Sequence, residues 1–359
     1  MKIWFAASID QSSQGGVHRS MVQFSQNLRN AGMKVETIYA SKKADNYLKF
    51  SLRLALTFLT HLGAPPDWII ARSSDSVFCA ALIRIFSLKT RIALHNHGWE
   101  GKVYETEKRL PGRIITNPTG WKAHLVRFPL LKANLFLSDI CICGTIEEAR
   151  WIATRYKSSV GKLRIIPNGI EVPEKPYWPL QKKVPFNLLS IGGFTWKKNL
   201  EYTLQLFRKV LVESSEARMI LVGTGKIAEE KRQLLNFPGD SLTVVEKESP
   251  ENMIRWYETC PFLISSSRYE GGRAFVILEA MARGCVVFGT GISSTKEMIR
   301  DKKNGVLLNG TDSESDCSAI LNLYHDIERI KMIGVSAWNY AKRNRIERQA
   351  KRLIRVLQE

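Results

Sequence analysis

Phe262-Leu263-Ile264-Ser265-Ser266-Ser267-Arg268-Tyr269-Glu270-Gly271-Gly272-Arg273-Ala274-Phe275-Val276-Ile277-Leu278-Glu279-Ala280-Met281-Ala282-Arg283-Gly284 contains a strand, a loop and a helix in one stretch. The apolar run Phe262–Ser265 is too short for a helix and reads as a buried strand. Serines follow it, the loop carries Glu270 and the pair Gly271-Gly272, and Arg273 and Ala274 lead into a helical pattern that Gly284 stops. A short apolar strand feeding a loop and then a helix is the repeating piece of a parallel sheet covered by helices.

The same alternation runs outward in both directions. Asn187–Ile191, Met219–Val222, Leu242–Val245, Val286–Phe288 and Val306–Leu308 read as strands of the same kind. Nearer the N-terminus, Lys2–Ala7, Val35–Tyr39, Trp68–Ala71, Arg91–Leu94, Ile140–Ile142 and Arg164–Ile166 form a second series. There Val17, Met21, Phe24 and Leu28 lie at helical spacing and Gly32 marks a stop. Between the two series, Pro167-Asn168-Gly169 and then Pro173, Pro176, Pro179 and Pro185 make a stretch that neither helix nor strand tolerates, which reads as a linker. The expectation is therefore an α/β protein with two tandem Rossmann-like, doubly wound domains facing a cleft, residues 1–170 and 171–335, with a closing helix over 336–359.

Composition narrows the function. The 359 residues include 53 Lys+Arg against 34 Asp+Glu, a net charge of +19, with 44% hydrophobic residues, which excludes a disordered or collagenous chain. The charge is uneven, +13 over residues 1–170 and +6 over the rest, so the first half is expected to meet something anionic. Cys79, Cys141, Cys143, Cys260, Cys285 and Cys317 form no CxxC pair or His/Cys cluster, which points away from zinc and disulfides and toward a reducing compartment. The opening apolar run stops at Asp10 and Phe50–Leu62 is cut by Arg53 and His61, so neither a signal peptide nor a spanning helix is expected, and the location read from this is cytoplasmic.

Three glycine loops follow strands and could bring backbone N–H groups to a phosphate at a helix start. The first, Ser8 to Gly16, ends in Gly15-Gly16, and a flexible loop without a ligand explains it equally well. The second, Ile191-Gly192-Gly193-Phe194-Thr195-Trp196-Lys197-Lys198-Asn199, adds two lysines at a helix N-terminus, where the helix dipole disfavours cations unless an anion sits nearby. Gly223-Thr224-Gly225 closes the next strand. Glu279 sits about two turns into its helix between Leu278 and Met281, where a carboxylate requires a partner: sugar hydroxyls, or a structural arginine such as Arg273 or Arg283.

These motifs resemble the family 4 glycosyltransferases of the GT-B fold. The resemblance spans Gly15-Gly16, His97-Gly98, Ile166-Pro167-Asn168-Gly169, Lys198-Asn199, Val222 to Gly225 and, most specifically, Glu270 to Gly284. It implies a retaining transferase that moves a sugar from a nucleotide diphosphate, usually UDP, without a metal or other cofactor, and the chain has no DxD motif. Position by position, it implies that Glu279 holds the nucleotide ribose and Glu270 the donor-sugar hydroxyls. Lys198 stabilises the departing diphosphate with the Gly15-Gly16 backbone assisting, and His97 lies beside the reacting sugar. The implied donor site also takes in Gly193, Lys197, Gly223, Gly271, Gly272, Arg273 and Ala274. The closing helix Ser336–Gln358 resembles the one that returns to the first domain in this family.

Two departures leave alternatives open. Eight residues lie between Glu270 and Glu279 where the family has seven, so either Glu270 or Gly271 stands at the first carboxylate position. Gly193 replaces the usual arginine, which leaves diphosphate stabilisation to Lys198 with Lys197 or Arg273 in support. Between His95 and His97, the His-Gly pair favours His97, because glycine suits a loop that approaches a ligand closely.

On the acceptor side, Lys102–Lys132 has seven basic residues against Glu105 and Glu107 among apolar and aromatic ones, and Tyr47–Leu62 adds Lys49 and Arg53. Such surfaces suit an anionic leaflet, and amphipathic helices with a core-facing apolar side and a solvated charged side explain them equally well. The expected partners are a nucleotide sugar, a glycan or lipid-linked acceptor and the inner face of the cytoplasmic membrane, bound peripherally. A nucleotide-sugar 2-epimerase of the same fold is the alternative. Nucleic acid is not an expected partner, since no binding signature accompanies the charge.

Overall fold

The computed structural model describes residues 1–11, 15–40, 47–108, 123–223, 236–246 and 248–359. The chain divides into two compact units: Met1–Gly169 together with Ile346–Glu359, and Ile170–Arg345.

The first unit is a six-stranded parallel sheet in the order β2-β1-β3-β4-β5-β6. Its strands are β1 (Lys2–Asp10), β2 (Lys34–Ala40), β3 (Trp68–Arg72), β4 (Arg91–His95), β5 (Ile140–Cys143) and β6 (Leu163–Ile165). The connecting helices are α1 (Gly16–Asn30), α2 (Tyr47–Thr60), α3 (Val77–Ile85), α4 (Glu100–Lys108), α5 (Phe128–Leu137) and α6 (Ile146–Arg155). Successive strand residues point to opposite faces, and in β1 both faces are buried. Ile3 and Phe5 pack with Met21, Phe24 and Leu28 of α1, while Trp4 and Ala6 pack with Phe50, Leu54 and Phe58 of α2. Burial on both faces is why inner strands such as β1, β3 and β5 carry uninterrupted apolar runs.

The second unit repeats the plan in the order β12-β11-β10-β7-β8-β9. Its strands are β7 (Asn187–Ile191), β8 (Arg218–Val222), β9 (Leu242–Val245), β10 (Phe262–Ser265), β11 (Val286–Thr290) and β12 (Val306–Leu308). Its helices are α7 (Leu200–Glu213), α8 (Pro250–Thr259), α9 (Phe275–Arg283), α10 (Ser293–Met298), α11 (Ser313–Tyr324) and α12 (Ile327–Arg343). In each unit the strand order reverses at one place: between β1 and β3 in the first, between β7 and β10 in the second. At such a point consecutive loops diverge and leave room for a ligand beyond the strand ends.

Each strand expected from the sequence is present. Two other expectations need correction. The closing helix expected over Ser336–Gln358 is two helices, α12 and α13 (Ile346–Gln358), separated at Asn344 and Arg345. The break has a cause: the Asn344 carbonyl accepts from the Ile170 N–H at 3.3 Å, Arg345 bridges Ile170, and the Asn344 amide donates to the Tyr340 carbonyl at 2.9 Å. These bonds tie the points where the chain enters and leaves the second unit, so the helical ladder stops there. Beyond the break, Ile346, Ala350, Leu353 and Leu357 of α13 are buried against the α1 side of the first sheet.

The proline-rich stretch is not a free linker. Trp178 is buried in the core of the second unit and its indole N–H donates to the Tyr257 carbonyl at 2.7 Å. Pro179 lies so close to Gly284 that a Cβ there would meet its Cδ at 2.5 Å. Gly284 also ends α9 in the left-handed conformation, φ 76°, which together with that contact requires glycine.

Candidate active site

Of the residues expected to hold a donor, Gly193, Lys197, Lys198 and Glu270–Gly272 follow β7 and β10, on the two sides of the reversal in the second unit. After β7 the chain forms a short 3-10 turn, Trp196–Lys198, and Asn199 adopts φ 51°, ψ 47° before α7 begins. After β10 the loop 266–274 leads into α9. Backbone and hydroxyl bonds join these loops: the Arg268 N–H donates to the Lys197 carbonyl at 2.7 Å, and Ser266 Oγ donates to the Lys198 carbonyl at 3.0 Å. Thr203 Oγ1 lies 2.6 Å from Ser266 Oγ, and Thr290 Oγ1 donates to the Ser267 carbonyl at 2.6 Å. Ser265-Ser266-Ser267, read only as a strand ending, thus anchors the site from three neighbouring elements.

That anchoring places Lys198 Nζ against Glu270 Oε1 in a direct ion pair, with side chains 27% and 14% exposed. Ser267 Oγ donates to the same carboxylate oxygen at 2.7 Å. Of the alternatives at the irregular spacing, Glu270 is the residue whose side chain meets Lys198, and Gly271 and Gly272 occupy the half-buried loop beyond it. Gly192, Gly193, Phe194, Lys198 and Ser265–Ser267 line a pocket at this edge. Gly223 is a close-approach position: a Cβ there would sit 2.3 Å from the Gly192 carbonyl oxygen and 2.6 Å from the Phe194 ring. Gly193 supports the turn through its carbonyl, which accepts from the Thr195 N–H at 2.7 Å. Thr224 and Gly225 lie outside the described residues.

Glu279 is the fifth residue of α9, little more than one turn in rather than two, and it is half-buried on the stripe shared with Val276 and Arg283. The Tyr257 hydroxyl of α8 donates to its Oε2 at 2.7 Å. Of the arginines considered as its partners, Arg283 faces Glu258 at 3.4 Å, and Arg273 donates to Asn344 Oδ1 at 2.6 Å and faces Glu297 at 4.0 Å. Arg273 therefore braces the end of α12. Ala274 is the buried N-cap residue of α9, and Lys197 Nζ lies 5.8 Å from the Trp196 and Tyr269 rings.

His97, Gly15 and Gly16 belong to the first unit. Gly15 is the N-cap of α1 and Gly16 its first residue, while Ser12–Gln14 of that loop fall outside the described residues. His95 and His97 lie against each other with ring centroids 4.2 Å apart and planes tilted by 42°. Burial pulls His95 down to about 4, and burial, then His95 and Arg72, holds His97 well below the ordinary histidine range, so both rings are neutral at pH 7.

Two carboxylates around these histidines escaped the sequence reading. Asp75, 1% exposed, accepts from the Ser8 N–H at 2.7 Å across the β1/β3 reversal, and burial raises its pKa to about 6. Glu148, 2% exposed, accepts from Asn96 Nδ2 at 2.9 Å, the Trp99 N–H at 2.8 Å and the Gly144 N–H at 3.2 Å, and burial raises it to about 7. Glu148 thereby holds the Asn96–Trp99 loop that carries His97. The one sequence signal was Thr145-x-x-Glu148, a capping box in which Thr145 Oγ1 accepts from the Glu148 N–H while the carboxylate turns to that loop.

Two parallel six-stranded α/β units in tandem define the GT-B class of fold. Sucrose-phosphate synthase from Thermosynechococcus elongatus superposes with a TM-score of 0.78 at 16% identity, covering 100% of this chain and 98% of that one. HepE from Anabaena, solved in complex with UDP-glucose, gives 0.72 at 15% identity over 100% and 99%. The chain belongs to the family 4 glycosyltransferases: Glycosyltransferase Family 4 matches residues 14–173 and Glycosyl transferases group 1 matches residues 185–326. The alpha-monoglucosyldiacylglycerol synthase of Streptococcus pneumoniae is 29% identical over 250 residues, 62% of this chain and 55% of that protein. An uncharacterized glycosyltransferase of Methanocaldococcus jannaschii is 25% identical over 162 residues, 43% of this chain and 40% of that protein. The chain spans about half the length of the curated relatives it matches.

Proposed function

We propose that the protein is a retaining glycosyltransferase that takes a hexosyl or N-acetylhexosaminyl group from a UDP-sugar and transfers it to a lipid-linked or surface-glycan acceptor, at an anionic membrane surface on the cytoplasmic side. The observation that carries the reading is the Lys198–Glu270–Ser267 cluster at the β7/β10 reversal, a cation and a carboxylate held side by side at the mouth of a glycine loop. Breaking an anomeric bond leaves positive charge on the sugar and added negative charge on the diphosphate. A lysine and an adjacent carboxylate match those opposite charges.

In this reading Lys198 leaves its pairing with Glu270 to meet the diphosphate, and Glu270 takes the sugar hydroxyls with Ser267 still bonded to it. Glu279 keeps the ribose hydroxyls, oriented by Tyr257. Gly193, Gly223, Gly271 and Gly272 admit the donor's backbone contacts, while Lys197 sits at the loop mouth. Arg273 and Ala274 act through the position of α9. His97 offers a neutral imidazole to the donor sugar, and Gly15 and Gly16 offer backbone N–H groups to phosphate. No metal or other cofactor is proposed.

The acceptor reading draws support from the pneumococcal relative, named for a synthase of a glucosylated diacylglycerol. Among the described residues no helix is long and apolar enough to cross a membrane, so the proposed association is peripheral. Turnover of a panel of UDP-sugars with membrane lipid extracts tests the function. Transfer of label to lipid or glycan is expected. Conversion of the UDP-sugar to its 2-epimer without acceptor would replace the reading with the epimerase alternative.

A further inference from the structure

Three neighbouring helices of the first unit share an unusual outer surface. α2, α3 and α5 lie side by side, with α3 in the middle. The Phe78 N–H at the start of α3 donates to Ser51 Oγ of α2 at 3.4 Å, and Arg84 Nε at its end donates to the carbonyl of Leu137 in α5 at 3.0 Å. Their inner faces are conventional core: Phe50, Leu54, Phe58, Ala80, Ile83 and Leu135 are buried. Their outer faces are not conventional surface. Leu52, Leu56 and Leu59, at i, i+4 and i+7 of α2, are 53%, 55% and 39% exposed, and Ile85, Phe86 and Phe136, at the C-terminal ends of α3 and α5, are 72%, 62% and 40% exposed.

The charge on these helices has one sign. α2, α3 and α5 contain no aspartate or glutamate, and their charged residues are Lys49, Arg53, Arg84 and Lys132. Arg84 pairs with Asp139 just before β5 at 2.8 Å, Arg53 donates to the Tyr39 carbonyl at 2.8 Å, and Lys132 Nζ lies 5.9 Å from the Phe136 ring. The peripheral helices of the second unit differ: α7 has Glu201 and Glu213, and α11 has Glu314 and Asp316.

We infer that the outer face of α2, α3 and α5 docks on an anionic lipid leaflet, lying in its interface without spanning it; this rests on the membrane reading above and assigns it a surface. Exposed leucines and phenylalanines on helices whose charged residues are all cations match the two layers of such an interface, hydrocarbon below and headgroup phosphate above. A second copy of the chain would set the same cations against one another. Nucleic acid would satisfy the cations and leave the aliphatic tips in water, since binding there relies on aromatic stacking. The surface takes up one of the two stretches expected from the sequence, Tyr47–Leu62, which forms α2, and little of the other, Lys102–Lys132. Of that stretch α5 contributes Lys132, α4 carries Glu100, Glu105 and Glu107, and 109–122 lie outside the described residues.

The test is flotation of the full chain with vesicles of mixed phosphatidylglycerol and phosphatidylcholine, and with phosphatidylcholine alone. Binding to the anionic vesicles is expected, weakened by salt. Replacing Leu52, Leu56 and Leu59 together by Gln should reduce it by about tenfold or more, with the melting temperature unchanged. Replacing Met332 and Val335, exposed on the second unit, by Gln should leave binding unchanged. Equal binding to neutral vesicles, no binding to either, a triple variant that binds like the parent, or a dimer that the triple variant dissolves would each overturn the inference. UDP calorimetry on the same preparations reports the donor reading separately, because Lys198, Glu270 and Glu279 lie in the second unit and none of the donor residues is on α2, α3 or α5.

Discussion

The two units are built alike, with the same kind of parallel sheet and a reversal of strand order in each, yet the two reversals treat charge in opposite ways. At β7/β10, Lys198 and Glu270 form a partly exposed ion pair that a ligand can reach and rearrange. At β1/β3 and beside it, Asp75, Glu148, His95 and His97 are held in surroundings that push every one of them toward its neutral form. A site that must exchange partners with a diphosphate needs its charges present, whereas loops that must keep one shape are served by groups whose hydrogen bonds survive without net charge. The charged residues of the proposed donor site therefore lie in the second unit, and the buried groups of the first unit hold its loops through hydrogen bonds.

The sharpest way to break that contrast is at Glu270. Glu270→Gln removes the carboxylate that would face developing positive charge, and kcat should fall by roughly 100-fold or more. UDP affinity should hold or rise slightly, because Lys198 loses its competing partner. A Glu270→Gln enzyme with near-normal kcat would return Glu270 to a structural role and leave the loop backbone at Gly271 facing the donor.

A smaller effect separates Glu279 from Glu270. Contacts to the ribose are similar in ground and transition states, so Glu279→Gln should raise KM by about tenfold with little change in kcat. Tyr257→Phe removes the hydroxyl that orients Glu279 and should move KM in the same direction by less. Steady-state kinetics on the pair checks both, and a loss confined to kcat would place Glu279 against the sugar instead.

The smallest effect tests the neutral half of the comparison through stability. Glu148 has a folded pKa near 7 against 4.5 for the ordinary group, so the native state holds its proton across that window and loses stability as pH rises through it. Relative to the parent, Glu148→Gln should gain about 3 kcal/mol between pH 4.5 and pH 8, read from urea unfolding at the two pH values. His95 contributes in the opposite sense, since its depressed pKa costs stability as pH falls from 6.5 toward 4. A Glu148→Gln difference that does not change with pH would mean the carboxylate is ionised in the fold.

Sequence and structure agree where a single physical signal dominates. The strands are buried on both faces, so Phe262–Ser265 and Asn187–Ile191 read without ambiguity, and glycine loops after strands located the β7/β10 site. What escaped depends on contacts far apart in the chain. Nothing in Ser73-Ser74-Asp75-Ser76 distinguishes a buried carboxylate from an exposed turn, because its partner Ser8 lies on another strand. Helical spacing continues from α12 to α13, and the break between them comes from Ile170. Prolines excluded α-helix and strand at 173–185, where the chain forms only a short 3-10 turn at Trp178–Leu180, but said nothing of Trp178, whose burial ties that segment to the second unit.

The central claim is that the second unit holds a nucleotide sugar through Lys198. Isothermal calorimetry of UDP into the parent and Lys198→Ala proteins tests it most directly. Saturable binding is expected for the parent, with affinity about tenfold or more weaker in the variant, since a lysine beside a diphosphate contributes a charge-assisted contact. Folded parent protein that shows no heat at millimolar UDP, or a variant that binds UDP as tightly as the parent, would contradict the account.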